Sequence, residues 1–404
     1  MKFVLTSVGT RGDVEPCAAI GRELLRRGHD VCVAVPPNMV GFVESAGLAA
    51  VACGPDSRAL LGDEDFVRLS KIQNPITLQD KFIEYATQVW VAMGTTLTAL
   101  ANGADLLLTG MSEQQGLAAN VAEYHGIPLA VLHCFPMPEL LSIKPPADAW
   151  LDWRIAREAE AAQRRALGLP EATGLSTRRM VERGSLEIQA YDELCFPGLA
   201  VEWRGRWPFV GALTLEMPTD ADDEVLSWIG AGTPPIYFGF GSTPATSPTD
   251  MVVATIAAAC TELGQRALIY SDLGGSNQIP HFDHVKIVGA VNYAAVFPAC
   301  RAVVHHGGAG TTAAGLRAGV PSLVLWLTAD QPIWAAAVTQ LKAGSGRQFS
   351  ETTRESLIAD LRLILTPQYV TRAREIATQM TKPSESLART ADLLEHTARG
   401  GRSS

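Results

Sequence analysis

Short apolar runs alternate with amphipathic stretches along almost the whole chain. Residues 3–8, 31–35, 106–108, 129–132 and 186–190 read as strands, and 236–240, 267–270, 285–288, 302–305 and 322–325 repeat the pattern. Between them, residues 14–27, 114–124 and 251–263 carry apolar positions at helical spacing, the first stretch closed by Gly28. Strand, turn, helix and strand in that order build parallel sheets covered by helices on both faces. Pro and Gly collect around 196–213. The chain is therefore expected to be α/β, with two doubly wound halves. Ligands of such sheets sit outside the carboxyl ends of the strands, and a cleft between the halves would let two such edges face each other. Residues 152–178, rich in Arg, Glu and Ala, read as an exposed helix of mixed charge, 384–398 as an amphipathic helix, and 400–404 as a frayed tail.

Length and composition narrow the field. At 404 residues the chain exceeds the roughly 100 to 200 residues of one ordinary domain. Hydrophobic residues at 47% and charged ones at 19% exclude a disordered chain. A net charge of -9, with no basic stripe, argues against nucleic acid as a partner. The cysteines, at 17, 32, 53, 134, 195, 260 and 300, are odd in number and form no Cys-x-x-Cys pair, which points to reduced thiols in the cytoplasm. The apolar start gives way to Gly-Thr-Arg-Gly-Asp by residue 13, so neither signal peptide nor anchor is expected there. No uninterrupted apolar run reaches the roughly 18 residues of a membrane span, which leaves peripheral membrane contact open.

The richest chemistry lies at residues 302–312, Ala-Val-Val-His-His-Gly-Gly-Ala-Gly-Thr-Thr. A β-branched run ends at His305, three glycines allow close backbone approach, and a helix-compatible segment begins at Thr311. Unpaired N–H groups and the helix dipole favour an anion at such a place, phosphate above all. The sequence lacks Gly-x-Gly-x-x-Gly after its first strand, and the second strand ends in Pro36-Pro37-Asn38 where a ribose-binding acid belongs, which excludes a Rossmann dehydrogenase. The phosphate-loop Gly-Lys-Ser/Thr is missing too. Asp63-Glu64-Asp65 and the acids between 220 and 223 are the nearest approach to a metal-binding pattern, and their polar flanks fit solvated surface better.

Five motifs occur in order: Gly9-Thr10-Arg11-Gly12-Asp13-Val14-Glu15-Pro16, Gly239-Phe240-Gly241-Ser242, Val291-Asn292, the stretch from His305 to Thr312, and Asp330-Gln331-Pro332. Together they resemble glycosyltransferase family 1, in the bacterial branch that includes vancomycin-type antibiotic, sterol and mycobacterial glycolipid or glycopeptidolipid transferases. The resemblance implies two Rossmann-like domains facing across a cleft (GT-B type). The expected division is 1–200 for the acceptor, a linker at 201–215, 216–382 for the nucleotide sugar, and 383–404 as a C-terminal helix and tail. It further implies inverting transfer of a hexose or 6-deoxyhexose to a hydroxyl of a hydrophobic acceptor, without metal or resident cofactor. The UDP- or dTDP-linked sugar is a co-substrate. A nucleotide-sugar epimerase and a non-catalytic nucleotide-sugar-binding protein are the competing readings.

Roles carried over from the resemblance fall on matching positions. Asp13 is the expected general base, or else the N-cap of a helix starting at Val14, or both. Arg11 would contact donor phosphate or pair with an acid, with Thr10 and Gly12 beside it. His305, Gly307, Gly308, Ala309, Gly310 and Thr311 would hold the leaving diphosphate, with Ser242 opposite and His306 as packing support. Backbone at Val291 would meet the nucleoside, although Tyr293 stands where many relatives carry histidine. Asp330 and Gln331 would bind sugar hydroxyls, or cap a helix with Pro332 at its first turn. Trp326 would line the sugar site or fill core. Tyr85, Trp90, Met93, Met111, Phe135 and Met137 are apolar acceptor candidates or core, and His125 and His133 are alternate bases or structural histidines.

Overall fold

The computed structural model describes residues 1–57, 75–110, 114–136, 146–172, 174, 176–241, 250–271, 282–327 and 330–401. Ser242, Met111, Met137 and the acids at 63–65 lie outside the described residues.

The chain divides into two compact units. The first comprises Met1–Ala190, Trp203–Leu215 and Pro383–Ser404, and the second Tyr191–Glu202 and Glu216–Lys382. The expected linker at 201–215 is thus largely part of the first unit, held there by a parallel bridge between Gln189 and Phe209. The C-terminal helix Pro383–Gly401 joins that unit as well. Arg27 binds Asp392 at 2.6 Å and Glu395 at 3.2 Å, and His29 meets Glu395 at 3.0 Å.

Six parallel strands form the sheet of the first unit: β1 (Lys2–Thr6), β2 (Asp30–Val35), β3 (Ala49–Ala52), β4 (Leu106–Thr109), β5 (Leu129–His133) and β6 (Leu186–Gln189). They lie in the order β3-β2-β1-β4-β5-β6. The second unit holds β7 (Ile236–Gly239), β8 (Ala267–Tyr270), β9 (Val285–Val288), β10 (Ala302–His305), β11 (Ser322–Trp326) and β12 (Gly344–Gln348), in the order β12-β11-β10-β7-β8-β9. Counted from its own first strand, the second sheet has the order of the first, read from the opposite edge. Each therefore has a topological switch point, between β1 and β4 and between β7 and β10, where α/β sheets bind ligands.

Both faces of each sheet are covered, so the central strands are mainly apolar, with polar residues at their ends. In the first unit Val4, Leu107 and Val131 pack against Leu97, Leu117 and Val121 from two helices, Pro75–Ala101 and Gln115–His125. In the second, Phe238 and Val304 face Val253, Ile256 and Leu361, while Tyr237 and Val303 face Val296 and Phe297. Each such side chain contributes on the order of 1.5–3 kcal/mol when fully enclosed. These layers fix the strand ends that carry the chemistry.

One strand and one helical region depart from the expected pattern. β12 reads Gly-Ser-Gly-Arg-Gln and offers no apolar run; pairing with β11 makes it a strand. A Cβ on Gly344 would overlap the Ser322 carbonyl, so glycine permits that approach. The single exposed helix expected over 152–178 is instead two helices, Pro146–Ala166 and Ser176–Glu182, and several of its polar residues are buried. Gln163 Oε1 accepts from Trp90 Nε1 and Asn120 Nδ2, each at 2.9 Å, and Arg164 donates to Asn120 and Glu123 at 2.8 and 2.9 Å. Arg179 pairs with Glu160. Charge composition mimicked surface because these ions neutralise one another inside.

Candidate functional site

Beyond β10 the chain turns through Gly307 and Gly308 into the helix Ala309–Ala318. Gly308 is its N-cap and supplies no side chain, so Ala309, Gly310 and Thr311 present first-turn N–H groups without intrahelical acceptors. Their direction and the dipole make this end an anion cradle. Thr312 instead turns its hydroxyl back to the Gly308 carbonyl at 2.9 Å. Gly307 has φ +98, and a Cβ there would stand 2.8 Å from Val324 Cγ1 and 3.1 Å from the Gln331 backbone oxygen. A Cβ on Gly310 would meet nothing within 4 Å.

The two histidines differ in burial and in hydrogen-bond partners. His305 is 0% exposed, and its Nδ1 accepts the Gly307 N–H at 3.1 Å. Burial pushes its pKa down to about 3, so the ring is neutral, with its hydrogen on an Nε2 that has no partner. His305 holds the turn rather than offering its ring to solvent. His306 is half-buried at the strand end, between Gly241 and Gly308. A Cβ on Gly308 would lie 2.8 Å from its Nε2, and one on Gly241, at φ +91, would lie 3.2 Å from its Cε1. The Gly239 carbonyl hydrogen-bonds the ring, burial lowers its pKa, and Nδ1 has no partner. β10 ends at His305, so strand alternation does not fix the direction of the His306 ring.

Gln331 is brought directly against this turn, since its Cβ lies 3.1 Å from where a Gly307 Cβ would be. Gln331 Oε1 accepts the Leu327 N–H at 2.7 Å. Asp330 is the N-cap of the helix Gln331–Gln340 by position, yet its side chain does not cap; Oδ2 accepts from Trp334 Nε1 at 3.0 Å. Burial raises the Asp330 pKa. Trp326 is half-buried and packs on Val324, Ala335 and Val338. Val291 is buried among Val288, Val296 and Phe297, so its backbone alone could serve a nucleoside. Tyr293 stacks on Phe297, with ring centroids 4.4 Å apart.

In the first unit the helix after β1 starts at Arg11, not at Val14. Thr10 is the N-cap and Asp13 occupies the third helical position, so Asp13 closes a capping box instead of being the cap. Its Oδ2 accepts the Thr10 N–H at 2.7 Å and the Thr10 hydroxyl at 3.2 Å. Gly9, at φ +126, leaves room for that carboxylate, which a Cβ would overlap. Arg11 pairs with Glu15 at 2.9 Å and lies 5.1 Å from the Phe42 ring centroid. Gly12 is exposed and sterically unconstrained. His133 binds Glu187 at 2.5 Å, and His125 the Thr98 carbonyl at 2.9 Å. Met93 is core, Trp90 belongs to the buried polar network, and Phe135 is half-buried beyond β5.

Two doubly wound sheets of one strand order, one with an uncapped helix start beyond its switch point, define the GT-B architecture. Residues 3–123 match the glycosyltransferase family 28 N-terminal domain, and 265–391 the erythromycin biosynthesis protein CIII-like C-terminal domain. An uncharacterized glycosyltransferase of Mycobacterium tuberculosis is 61% identical over 416 residues, 100% of each chain. Glycosyltransferase GtfE of Amycolatopsis orientalis is 30% identical over 420 residues, 98% of this chain and 97% of its own. The chain belongs to this glycosyltransferase family. Glycosyltransferase VinC in complex with dTDP shares the fold with a TM-score of 0.67 at 20% identity, over 99% of this chain and 100% of that one. The glycotransferase of kitacinnamycin does so at 0.70 and 20%, over 98% and 99%.

Proposed function

We propose that this glycosyltransferase moves a hexose or 6-deoxyhexose from a UDP- or dTDP-linked donor to a hydroxyl of an acceptor with a hydrophobic body: a glycolipid, glycopeptidolipid or natural-product aglycone. The observation that carries the donor half is the uncapped helix start at Ala309–Thr311, flanked by His306 and Gln331. Negative charge grows on the diphosphate as the bond to the anomeric carbon breaks, and fixed N–H dipoles stabilise it without reorganising. The dTDP complex of VinC supports a pyrimidine nucleotide.

In the reaction the acceptor oxygen attacks the anomeric carbon as the diphosphate departs with the bonding electrons, inverting that centre. The acceptor proton passes to Asp13. Asp13 Oδ2 also accepts from the Thr10 N–H and hydroxyl. No metal is assigned to the step. A lipid-linked acceptor would bring the chain to a membrane surface; among the described residues no helix is long and apolar enough to cross one. A cytoplasmic location agrees with seven free thiols. Acceptor-dependent release of nucleoside diphosphate tests the reading. Donor conversion without any acceptor would point to an epimerase, and donor binding without turnover to a binding protein.

A further inference from the structure

Among the described residues, five of the seven buried side-chain atoms without partners fall at two strand ends. The seven are Thr109 Oγ1, Gln114 Oε1, Gln115 Nε2, Arg179 Nε, His305 Nε2, His306 Nδ1 and Ser322 Oγ. His305 and His306 mark the donor turn beyond β10. Thr109, Gln114 and Gln115 mark the corresponding place in the other sheet: β4 stands to the first switch point as β10 does to the second. Buried polar groups are nearly always satisfied, so such groups gathered at the ligand edge of a sheet need an explanation.

The same helix shows that the fold can satisfy buried amides where the need is structural. One turn beyond Gln115, Asn120 is 0% exposed and bonded to Gln163 and Arg164. By contrast Thr109 is 0% exposed and Gln114 and Gln115 each 6%, with the atoms named above unpaired. Gln114 is the N-cap of the helix Gln115–His125, and its side chain makes no capping bond. The strand end at Thr109, beyond which Gln114 and Gln115 follow in the chain, lies beside the Asp13 segment. Thr109 pairs in register with Thr6, a Cβ on Gly110 would lie 3.2 Å from Ser7 Oγ, and Ser7 Oγ donates to the Asp13 carbonyl at 2.8 Å.

We propose that Thr109, Gln114 and Gln115 form the hydrogen-bonding part of the acceptor subsite, and that the acceptor presents a polyhydroxylated ring, a sugar unit, to Asp13. This rests on the transferase reading above and specifies its acceptor. An amide oxygen, an amide N–H and a hydroxyl together require a ligand that both donates and accepts. Neighbouring sugar hydroxyls do so. A phosphate or carboxylate would face the Gln114 oxygen with negative charge, and a hydrocarbon would leave all three groups unmet. Apolar contacts then serve the rest of the acceptor, away from the reacting hydroxyl.

The test uses the full chain with methyl α-rhamnopyranoside, methyl α-glucopyranoside and 2-naphthol as probes, each followed by saturation-transfer NMR and titration in the presence of dTDP or UDP. The glycosides are expected to bind more tightly than 2-naphthol. Gln114→Leu, Gln115→Leu and Thr109→Val should each weaken glycoside binding about threefold to tenfold, the worth of one hydrogen bond, and leave 2-naphthol unaffected. Their melting temperatures should hold or rise, because each removes an unpaired buried group; a structural role would lower them. Unchanged glycoside binding in the variants, falling melting temperatures, or preference for 2-naphthol overturns the proposal. Calorimetric binding of dTDP or UDP to the unaltered chain separates the outcomes: if neither binds, the donor reading fails, whereas nucleotide binding without glycoside binding defeats this inference alone.

Discussion

Gly310→Ala separates a glycine kept for a ligand from one kept for the fold. Gly310 is in the first turn of the helix Ala309–Ala318, and a methyl there meets nothing within 4 Å, so the protein gains helix propensity at no steric cost. That gain is about 0.5–1 kcal/mol, or roughly 1–4 °C in the melting temperature of a unit this size. The nucleotide should respond in the opposite sense. If phosphate oxygens approach the amides of Ala309–Thr311 closely, the methyl displaces them and weakens a charge-assisted hydrogen bond of about 1.5–3 kcal/mol. The dissociation constant for dTDP or UDP should then rise roughly 10- to 150-fold. Gly307→Ala is the counterpart: its positive φ costs about 1–2 kcal/mol and crowding against Val324 and Gln331 about 1–3 more. That variant should lose stability and affinity together. Titration calorimetry and thermal melts on the three proteins decide the matter. A Gly310→Ala protein that binds both nucleotides within twofold of the unaltered chain would refute the cradle.

Further outcomes follow from the same geometry. Asp13→Asn should lower turnover by about 100-fold or more while donor affinity holds, read by steady-state kinetics beside calorimetry. Gly9→Ala should reproduce that loss by displacing the Asp13 carboxylate, and stopped-flow or endpoint assays at saturating donor will show whether it does. His305 titrates near 6.5 when unfolded and at about 3 when folded, so the unfolded chain binds the extra proton between those values and stability falls with falling pH in that window. Urea melts should show this loss, approaching about 1.4 kcal/mol per pH unit below 6, disappearing in His305→Asn. The Asn amide oxygen can still accept the Gly307 N–H, so that variant should keep nucleotide affinity; a His305→Leu variant should not.

Much of the architecture was legible because doubly wound sheets write their central strands as short apolar runs. The central strands of both sheets stood out this way. β12 did not, because its Gly-Ser-Gly-Arg-Gln segment is shaped by the neighbouring Ser322 backbone rather than by burial of side chains. Nor did the interior helices around Gln163, Arg164 and Arg179, where opposite charges meet inside and local composition reads as surface. At the candidate site the glycine turn and the Asp330-Gln331 segment were readable, and the structure sets Gln331 against Gly307. The burial of His305 and its bond to the Gly307 N–H were not, since they depend on where the strand stops. The unpaired amides at Gln114 and Gln115 carry no motif. Their significance lies in partners they lack, and only coordinates reveal that.

Backbone amide shifts of the donor turn test the central claim most directly, measured by TROSY on the 15N-labelled full chain as dTDP or UDP is added. The account predicts that the largest shifts fall on Gly307, Gly308, Ala309, Gly310 and Thr311, saturating together with the calorimetric binding curve. Nucleotide binding that leaves those five amides unmoved would contradict it.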